Sequence, residues 1–359
     1  MPVAVVQLSA AESVDQRWHV GPQRCGAESC SEESLMTRWP DRLITLLLLA
    51  LLSWGGWVVV HWLLHGADWS VVSANLPLFA VGSYPSDQRW RPLLWISTCV
   101  VLVVLTLTAP RGAGWRRALP PLWIAMAPLG LWLLAGGLGL LPVGTRHWGG
   151  LTLTLLLTAG SGLLALPLGV LLALGRRSDL PVLRWSSTAY IELMRAVPLI
   201  AVLFFGQLLI PLFLPPGLEI NRVLRAVLAF ALFAAAYIAE DVRGGLQAIP
   251  PTQREAASVL GLSPLQTLQL VVLPQALRVA LPSLTNQAVG LLQNTSLMAI
   301  LGLVELLGIS RSLLANPAFI GRYLEVYLWL AAVYWLACTA MALLARHLEV
   351  QLDPVRSNR

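Results

Sequence analysis

Apolar residues in this chain run in long blocks, without the alternation of a half-buried strand or the three-to-four spacing of a surface helix. Uncharged stretches cover 43–64, 93–110, 118–145, 148–175, 196–218, 226–239, 279–304 and 326–345. A hydrocarbon core takes about 20 apolar residues per helix, so the pattern predicts an all-α integral membrane protein of about eight transmembrane helices. The sixth stretch has 14 residues between Arg225 and Glu240 and must borrow its flanks. Arg225 would then snorkel outward, with Glu240 and Arg243 close to the inner end.

A break falls at 142–150, Pro-Val-Gly-Thr-Arg-His-Trp-Gly-Gly. Before it lie three spans with few polar groups at depth. After it lie five spans that carry nearly all the intramembrane polar and charged residues. The chain therefore divides into a tail (1–42), a three-span N-terminal extension (43–147), a five-span functional core (148–345) and a C-terminal tail (346–359). The first tail has mixed charge and no long apolar run, so it does not read as a cleaved leader and is expected to be flexible.

Composition changes this picture in two ways. Of 359 residues 57% are hydrophobic and 12% charged, against about 25% charged in soluble domains. All 24 basic residues are Arg. A chain without Lys cannot build a P-loop or a Schiff base, so energy from a nucleotide has to arrive through another subunit. The net charge of +6 comes with no basic-aromatic stripe, which argues against nucleic acid. It reads instead through topology. With the N-terminus in the cytoplasm, inner loops and the C-terminal tail hold Arg111, Arg116, Arg117, Arg176, Arg177, Arg184, Arg195, Arg243, Arg254, Arg278, Arg346, Arg356 and Arg359. Outer loops hold Arg89, Arg91, Arg146, Arg222, Arg225, Arg311 and Arg322. The inside leads by thirteen to seven, and eight spans return the C-terminus to the cytoplasm.

No metal site is expected. Cys25 and Cys30 have no second ligand pair behind them, and His61 and His65, four apart at the end of the first apolar run, lack a third ligand and fit an interfacial location. Cys99 and Cys338 lie inside apolar runs as free thiols.

The polar interruption at about 244–278 reads as two short helices. Pro250 and Pro251 open the first, which carries Glu255, Ala256 and Ala257 and stops at Gly261. Ser263, Pro264 and Gln266 supply an N-cap, a proline at the first helical position and a capping-box partner for the second. Pro274 and Pro282 punctuate the return into the seventh span. A surface Glu beside two small Ala residues suits docking into a groove, and an ordinary solvated loop is the alternative.

Glu255-Ala256-Ala257, three residues, Gly261, nine residues, then Val271-x-Leu273-Pro274 resembles the EAA loop of binding-protein-dependent ABC importer permeases. Glu192-x-x-Arg195-x-x-Pro198-Leu199 and Ala236-Tyr237-x-Ala239-Glu240-x-x-Arg243-Gly244-Gly245 are similar to segments of the polar amino-acid branch. The likeness spans about 148–345. The extra N-terminal spans, the Thr145 to Leu151 entry and the stretch 210–217 resemble the larger permease of general L-amino-acid uptake systems. The resemblance implies a type I ABC importer core in a bacterial inner membrane, with Glu255, Ala256, Ala257, Gly261, Leu273 and Pro274 docking an ABC ATPase subunit. It implies a homologous permease, a periplasmic amino-acid-binding protein and the lipid bilayer as partners, with ATP and magnesium held by the ATPase and no cofactor or catalytic residue in this chain.

Two departures bear on substrate. Thr252 stands where the family often has Gly, and Gln293-Asn294-Thr295-Ser296-Leu297 stands where it often has Lys-Asp-Thr-Ser-Leu. Polar groups at membrane depth usually face a cavity or a partner helix. Gln293, Asn294, Thr295 and Ser296, with Asn286 and Gln287, are therefore candidates for the substrate path, with interhelical hydrogen bonding as the alternative. Neutral amides there favour neutral or mixed amino acids. Glu192 with Arg195 and Glu240 with Arg243 stand three apart, where each pair can neutralise itself, as structural ties or as a gate. A membrane transferase would need Asp-x-x-Asp or His-Glu-x-x-His, and neither occurs. An ion-coupled secondary transporter would tend to show two repeated halves, which the three-plus-five layout lacks.

Overall fold

A computed structural model describes residues 38–109, 118–215, 217 and 219–352. Cys25, Cys30, Arg111, Arg116, Arg117, Arg356 and Arg359 lie outside the described residues. The chain divides into two compact units, Met1–Ala67 and Asp68–Arg359. In the first, α1 runs Arg38–His65, starting inside the segment read as tail. Its last turns stack Trp57, His61 and His65, with ring centroids 5.3 and 5.0 Å apart.

The second unit contains α2 (Ser70–Val81), α3 (Trp90–Thr108), α4 (Leu119–Ala135), α5 (Gly150–Arg176) and α6 (Pro181–Ala196). These are followed by α7 (Leu199–Phe213), α8 (Arg222–Ala248), α9 (Pro251–Val259), α10 (Pro264–Ala299), α11 (Leu306–Leu314) and α12 (Tyr323–Leu352). The fold is all-helical. Each of the eight apolar stretches contains a helix, but among the described residues six helices are long and apolar enough to cross a membrane, or seven if the bent pair α6 and α7 counts as one span. The helix α4 has 17 residues, and α6 meets α7 at 106°, so a count of eight full spans does not follow. The 12-residue α2 was not foreseen, because it is too short to register as a span and has no polar face to mark it.

Four α-helices of the core pack in series: α5 against α8, α8 against α10, and α10 against α12. Small residues make this possible. Along α8, Ala226, Ala231, Ala235, Ala236 and Ala239 are all buried, and a Cβ at Gly169 of α5 would lie 2.4 Å from Ile238. In apolar surroundings close backbone approach supplies the packing energy that the hydrophobic effect supplies in water. On the other side, α2 and α4 pack against α5, with Thr152 donating to the Ala80 carbonyl at 2.8 Å.

Two π-helical segments, Phe205–Leu209 and Thr267–Val272, each end two residues before a proline, Pro211 and Pro274. A proline ring clashes with the carbonyl four residues back and offers no N–H to it. A widened turn relieves both problems and keeps the helix unbroken. This corrects the expectation of a separate second short helix. Pro264–Gln266 continues through the π segment into Leu273–Asn294, and neither Pro274 nor Pro282 interrupts it.

Candidate functional site

The loop between α8 and α10 is built as its sequence predicts at both ends of α9. Pro250 is the N-cap and Pro251 the first helical residue. At the other end Gly261 has φ +78°, and the N–H groups of Gly261 and Leu262 donate back to the Ser258 and Ala257 carbonyls at 3.0 and 3.1 Å. This is the paired closure that a left-handed residue after a helix allows. The Ser263 N–H donates to Gln266 Oε1 at 2.9 Å and Ser263 Oγ accepts from the Gln266 N–H at 3.3 Å, completing the capping box.

Side chains on α9 divide by face. Ala257 is buried, whereas Glu255 and Ala256 are exposed. Val259 and Leu260 in the closing turn are 87% and 80% exposed and Leu265 beyond it 62%, so the loop carries exposed apolar side chains as well as the carboxylate. Gln275 donates to Gln253 at 3.4 Å, tying α9 to α10. Of the remaining loop candidates, Leu273 is half-buried and Pro274 exposed. Beside the loop, burial and the charges of Arg254 and Arg243 hold the Arg177 guanidinium below its usual range, which marks this end as strongly positive.

At the same end of the bundle the four predicted charges meet, in a different pairing. Arg243 donates to Glu240 Oε2 at 2.8 and 3.0 Å, the expected i,i+3 pair. Glu192 and Arg195 do not pair with each other. Arg195 approaches Glu240 at 3.7 Å and lies over the Tyr237 ring at 5.8 Å. Glu192 instead accepts from Arg176 at 2.9 Å, while the other arm of Arg176 donates to Glu240 at 2.5 Å. One guanidinium thereby joins α5, α6 and α8. The i,i+3 spacing missed this because Arg176 comes from another helix. Two carboxylates near one end of the bundle, with a single i,i+3 neighbour each, were the available signal.

The seventh-span candidates separate. Gln293 is exposed and donates to Cys338 Sγ at 3.7 Å, and Asn294 is half-buried. Thr295 is fully buried, its hydroxyl donating to the Leu292 carbonyl at 2.7 Å, and Ser296 donates to the Gln293 carbonyl at 2.8 Å. Both hydroxyls serve the 3₁₀ turn Thr295–Ala299 that ends α10. Asn286 is exposed and Gln287 half-buried.

Two acids that the sequence reading passed over are prominent. Glu305 is fully buried, caps α11 by accepting the Leu307 and Gly308 N–H groups at 2.9 Å each, and accepts from Tyr334 at 3.2 Å and Thr154 at 3.5 Å. Burial pushes its carboxyl above the usual carboxylate range, against the pull of those donors. An acid directly before Leu-Leu-Gly was the N-cap signal for it. The other is Asp241, next to Glu240 on α8, whose Oδ2 is buried and lacks a hydrogen bond.

Residues 165–353 match the family described as binding-protein-dependent transport system inner membrane component. This chain is a member of that family. It is a multi-pass inner membrane component of a transport system and not an enzyme, which sets aside the ion-coupled secondary transporter. Among its relatives, the inner membrane amino-acid ABC transporter permease protein YhdY of Escherichia coli (strain K12) is 38% identical over 349 residues, covering 90% of this chain and 93% of that protein. The glutamate/glutamine/aspartate/asparagine transport system permease protein BztC of Rhodobacter capsulatus is 35% identical, over 80% of this chain and 79% of its own. Both alignments reach well beyond the five-span core into the N-terminal half. Among solved structures, a chain from the crystal structure of an amino acid ABC transporter with histidines is similar at a TM-score of 0.50 and 29% identity. It covers 56% of this transport component and 91% of that chain, which gives the core the type I importer permease fold.

Proposed function

We propose that this chain is the permease subunit of an ATP-driven amino-acid importer, forming the translocation path beside a homologous permease. Solute arrives from a periplasmic amino-acid-binding protein, and ATP and magnesium are bound by a separate ABC ATPase. The transport functions of the relatives YhdY and BztC support amino acids as the substrate class. Both termini face the cytoplasm, 43–147 form an extension, and 148–345 form the core that transports.

The observation that carries this reading is α9. A nine-residue helix is fixed at both ends, anchored by Ala257, and presents Glu255 and Ala256 next to a turn with exposed Val259 and Leu260. That is the form of a peg that enters a groove on a partner, and it connects α8 and α10, which pack against each other. Gln293 and Asn294 belong to the substrate path in this reading, while Thr295 and Ser296 shape the turn that holds them. Neutral amides can meet both the carboxylate and the ammonium of a zwitterion, which favours neutral or mixed amino acids.

The test is Glu255→Arg in the complex purified from its native membrane. Placing a cation beside Arg254 should release the ATPase and cut uptake at least about tenfold, the equivalent of about 1.4 kcal/mol of docking energy, while the permease still inserts. Wild-type uptake with an intact ATPase complex in that variant would overturn the docking role.

A further inference from the structure

We infer that Asp241 is the group that receives the ammonium of the amino acid at the inner end of the substrate path, an inference that rests on the importer reading above. Asp241 is half-buried on α8, on the face turned to α10. One turn further on, Gly245 packs so closely that a Cβ there would lie 2.3 Å from the Ala276 carbonyl oxygen. Gln287 and Ser283 of α10 are the hydrogen-bonding neighbours of the carboxyl, and Arg195 and Glu240 its charged ones. Among the described residues it forms no ion pair, and its buried Oδ2 has no hydrogen bond. The Ser283 hydroxyl donates to the Ala280 carbonyl at 2.8 Å, so its proton is directed away.

An acceptor oxygen held from water without a donor is costly, and a bound group that completes it is one reason for a native protein to retain it. The surroundings indicate which ligand. Ser283, Gln287, Gly290 and Asn294 recur at four-, three- and four-residue spacing, which places them on one face of α10. A Cβ at Gly290 would meet nothing within 4 Å, so the stripe has room beside it. Asp241 stands at the foot of this polar stripe with a cation, Arg195, close by. A carboxylate, a guanidinium and neutral amides are together the complement of an α-amino-acid head group: ammonium to Asp241, carboxylate toward Arg195. Gln287 and Asn294 have no charge to discriminate among side chains, so the stripe selects the head group over the side chain.

The test uses the complex of this chain with its co-purified permease and ATPase, without the binding protein, so that only the inner site is read. Binding of each common L-amino acid is measured by titration calorimetry. The tightest is compared with its L-2-hydroxy-acid analogue, which replaces the ammonium by a hydroxyl. Wild type should prefer the amino acid, and Asp241→Asn should weaken it about tenfold, the scale of a lost charge-assisted hydrogen bond, and remove the preference for the ammonium. Asp241→Glu should restore that preference, which a packing role would not. Should Asp241→Asn fail to assemble, Asp241→Ser is read in the same way. A variant that keeps wild-type affinity and preference overturns the inference. A wild-type complex that transports amino acids but binds none overturns the inner site alone. One that neither binds nor transports any amino acid overturns the importer reading with it.

Discussion

The ion cluster at the end of the bundle beside α9 makes an ordered prediction about charge removal. Arg176, Arg195 and Arg243 face Glu192 and Glu240, three cations against two anions. Glu240 is the hub, touched by all three guanidinium groups and 16% exposed, while Glu192 is 57% exposed and touched by one. Removing one partner of a buried pair costs about 3–5 kcal/mol, and an exposed pair contributes at most about 1 kcal/mol. Glu240 lies nearer the first limit, and partial exposure brings Glu240→Gln to about 2–3 kcal/mol. Arg176→Gln leaves Glu240 with Arg243 and Arg195, so its cost is about 1–2 kcal/mol, and Glu192→Gln costs under about 1 kcal/mol. At about 2–4 °C per kcal/mol for a domain of this size, Glu240→Gln lowers the thermal midpoint of the detergent-purified complex by about 5–10 °C. The double variant Arg176→Gln/Glu240→Gln should lose less than the sum, because removing Arg176 relieves repulsion that Glu240→Gln creates. Fluorescence-detected size exclusion across a temperature series reads all four proteins. Additive losses, or Arg176→Gln proving worse than Glu240→Gln, would refute the hub.

Gly245→Val should separate α8 from α10 and destabilise by about 1–3 kcal/mol, the cost of overpacking, seen as a lowered midpoint in the same assay. Ser263→Ala removes one half of the capping box and should cost about 1 kcal/mol, seen as faster amide exchange confined to the first turn of α10. Glu305 gives a pH dependence. A carboxyl raised in the folded state contributes stability that is fully present below its unfolded value and is lost as pH rises through the folded one. The midpoint should therefore fall with rising pH above the ordinary carboxylate range, and Glu305→Gln should flatten that slope; an unchanged slope would remove Glu305 as its source.

Local signals were the legible ones. The proline pair at Pro250 and Pro251, the left-handed Gly261 and the Ser263 to Gln266 box each depend on contacts within five residues, and all three form. Span positions were legible because a long apolar run has few alternatives to a helix. What depended on a second helix was not. Arg176 counts in sequence as one more loop cation, and its choice of Glu192 and Glu240 as partners follows only once α5, α6 and α8 converge. The same holds for Asp241, indistinguishable in sequence from the second acid of a Glu-Asp pair until α10 covers it. Short apolar α2 and the 106° bend between α6 and α7 were hidden for another reason: hydropathy measures how much apolar chain there is, not where it turns.

Position along α8 and α10 argues for how the proposed docking helix could reach the ion cluster. The peg α9 connects the adjoining ends of these two helices, and at Gly245 their backbones are too close for a single Cβ. A load applied at Glu255 therefore cannot be absorbed by sliding α8 past α10 and has to move the pair together. Five residues separate Gly245 from Glu240, about 7.5 Å of helix, so Glu240 moves with the pair. Arg176 and Glu192 are on α5 and α6, outside it; α5 is itself packed closely on α8 at Gly169, but Arg176 stands seven residues beyond that contact, about 10 Å along the helix and at its end. Of the contacts at Glu240, the one to Arg243 lies within α8 and travels intact, while those to Arg176 and Arg195 cross to other helices and must stretch. The 3.7 Å approach of Arg195 is the weaker of the two and would open first, leaving its guanidinium beside Asp241. Coupling by this route predicts that Arg176→Gln, which removes the stronger cross-helix tie, raises basal ATPase turnover in the absence of binding protein, whereas Arg243→Gln does not. Equal basal rates in the two variants would mean that the cluster is a fastener and the moving boundary lies elsewhere.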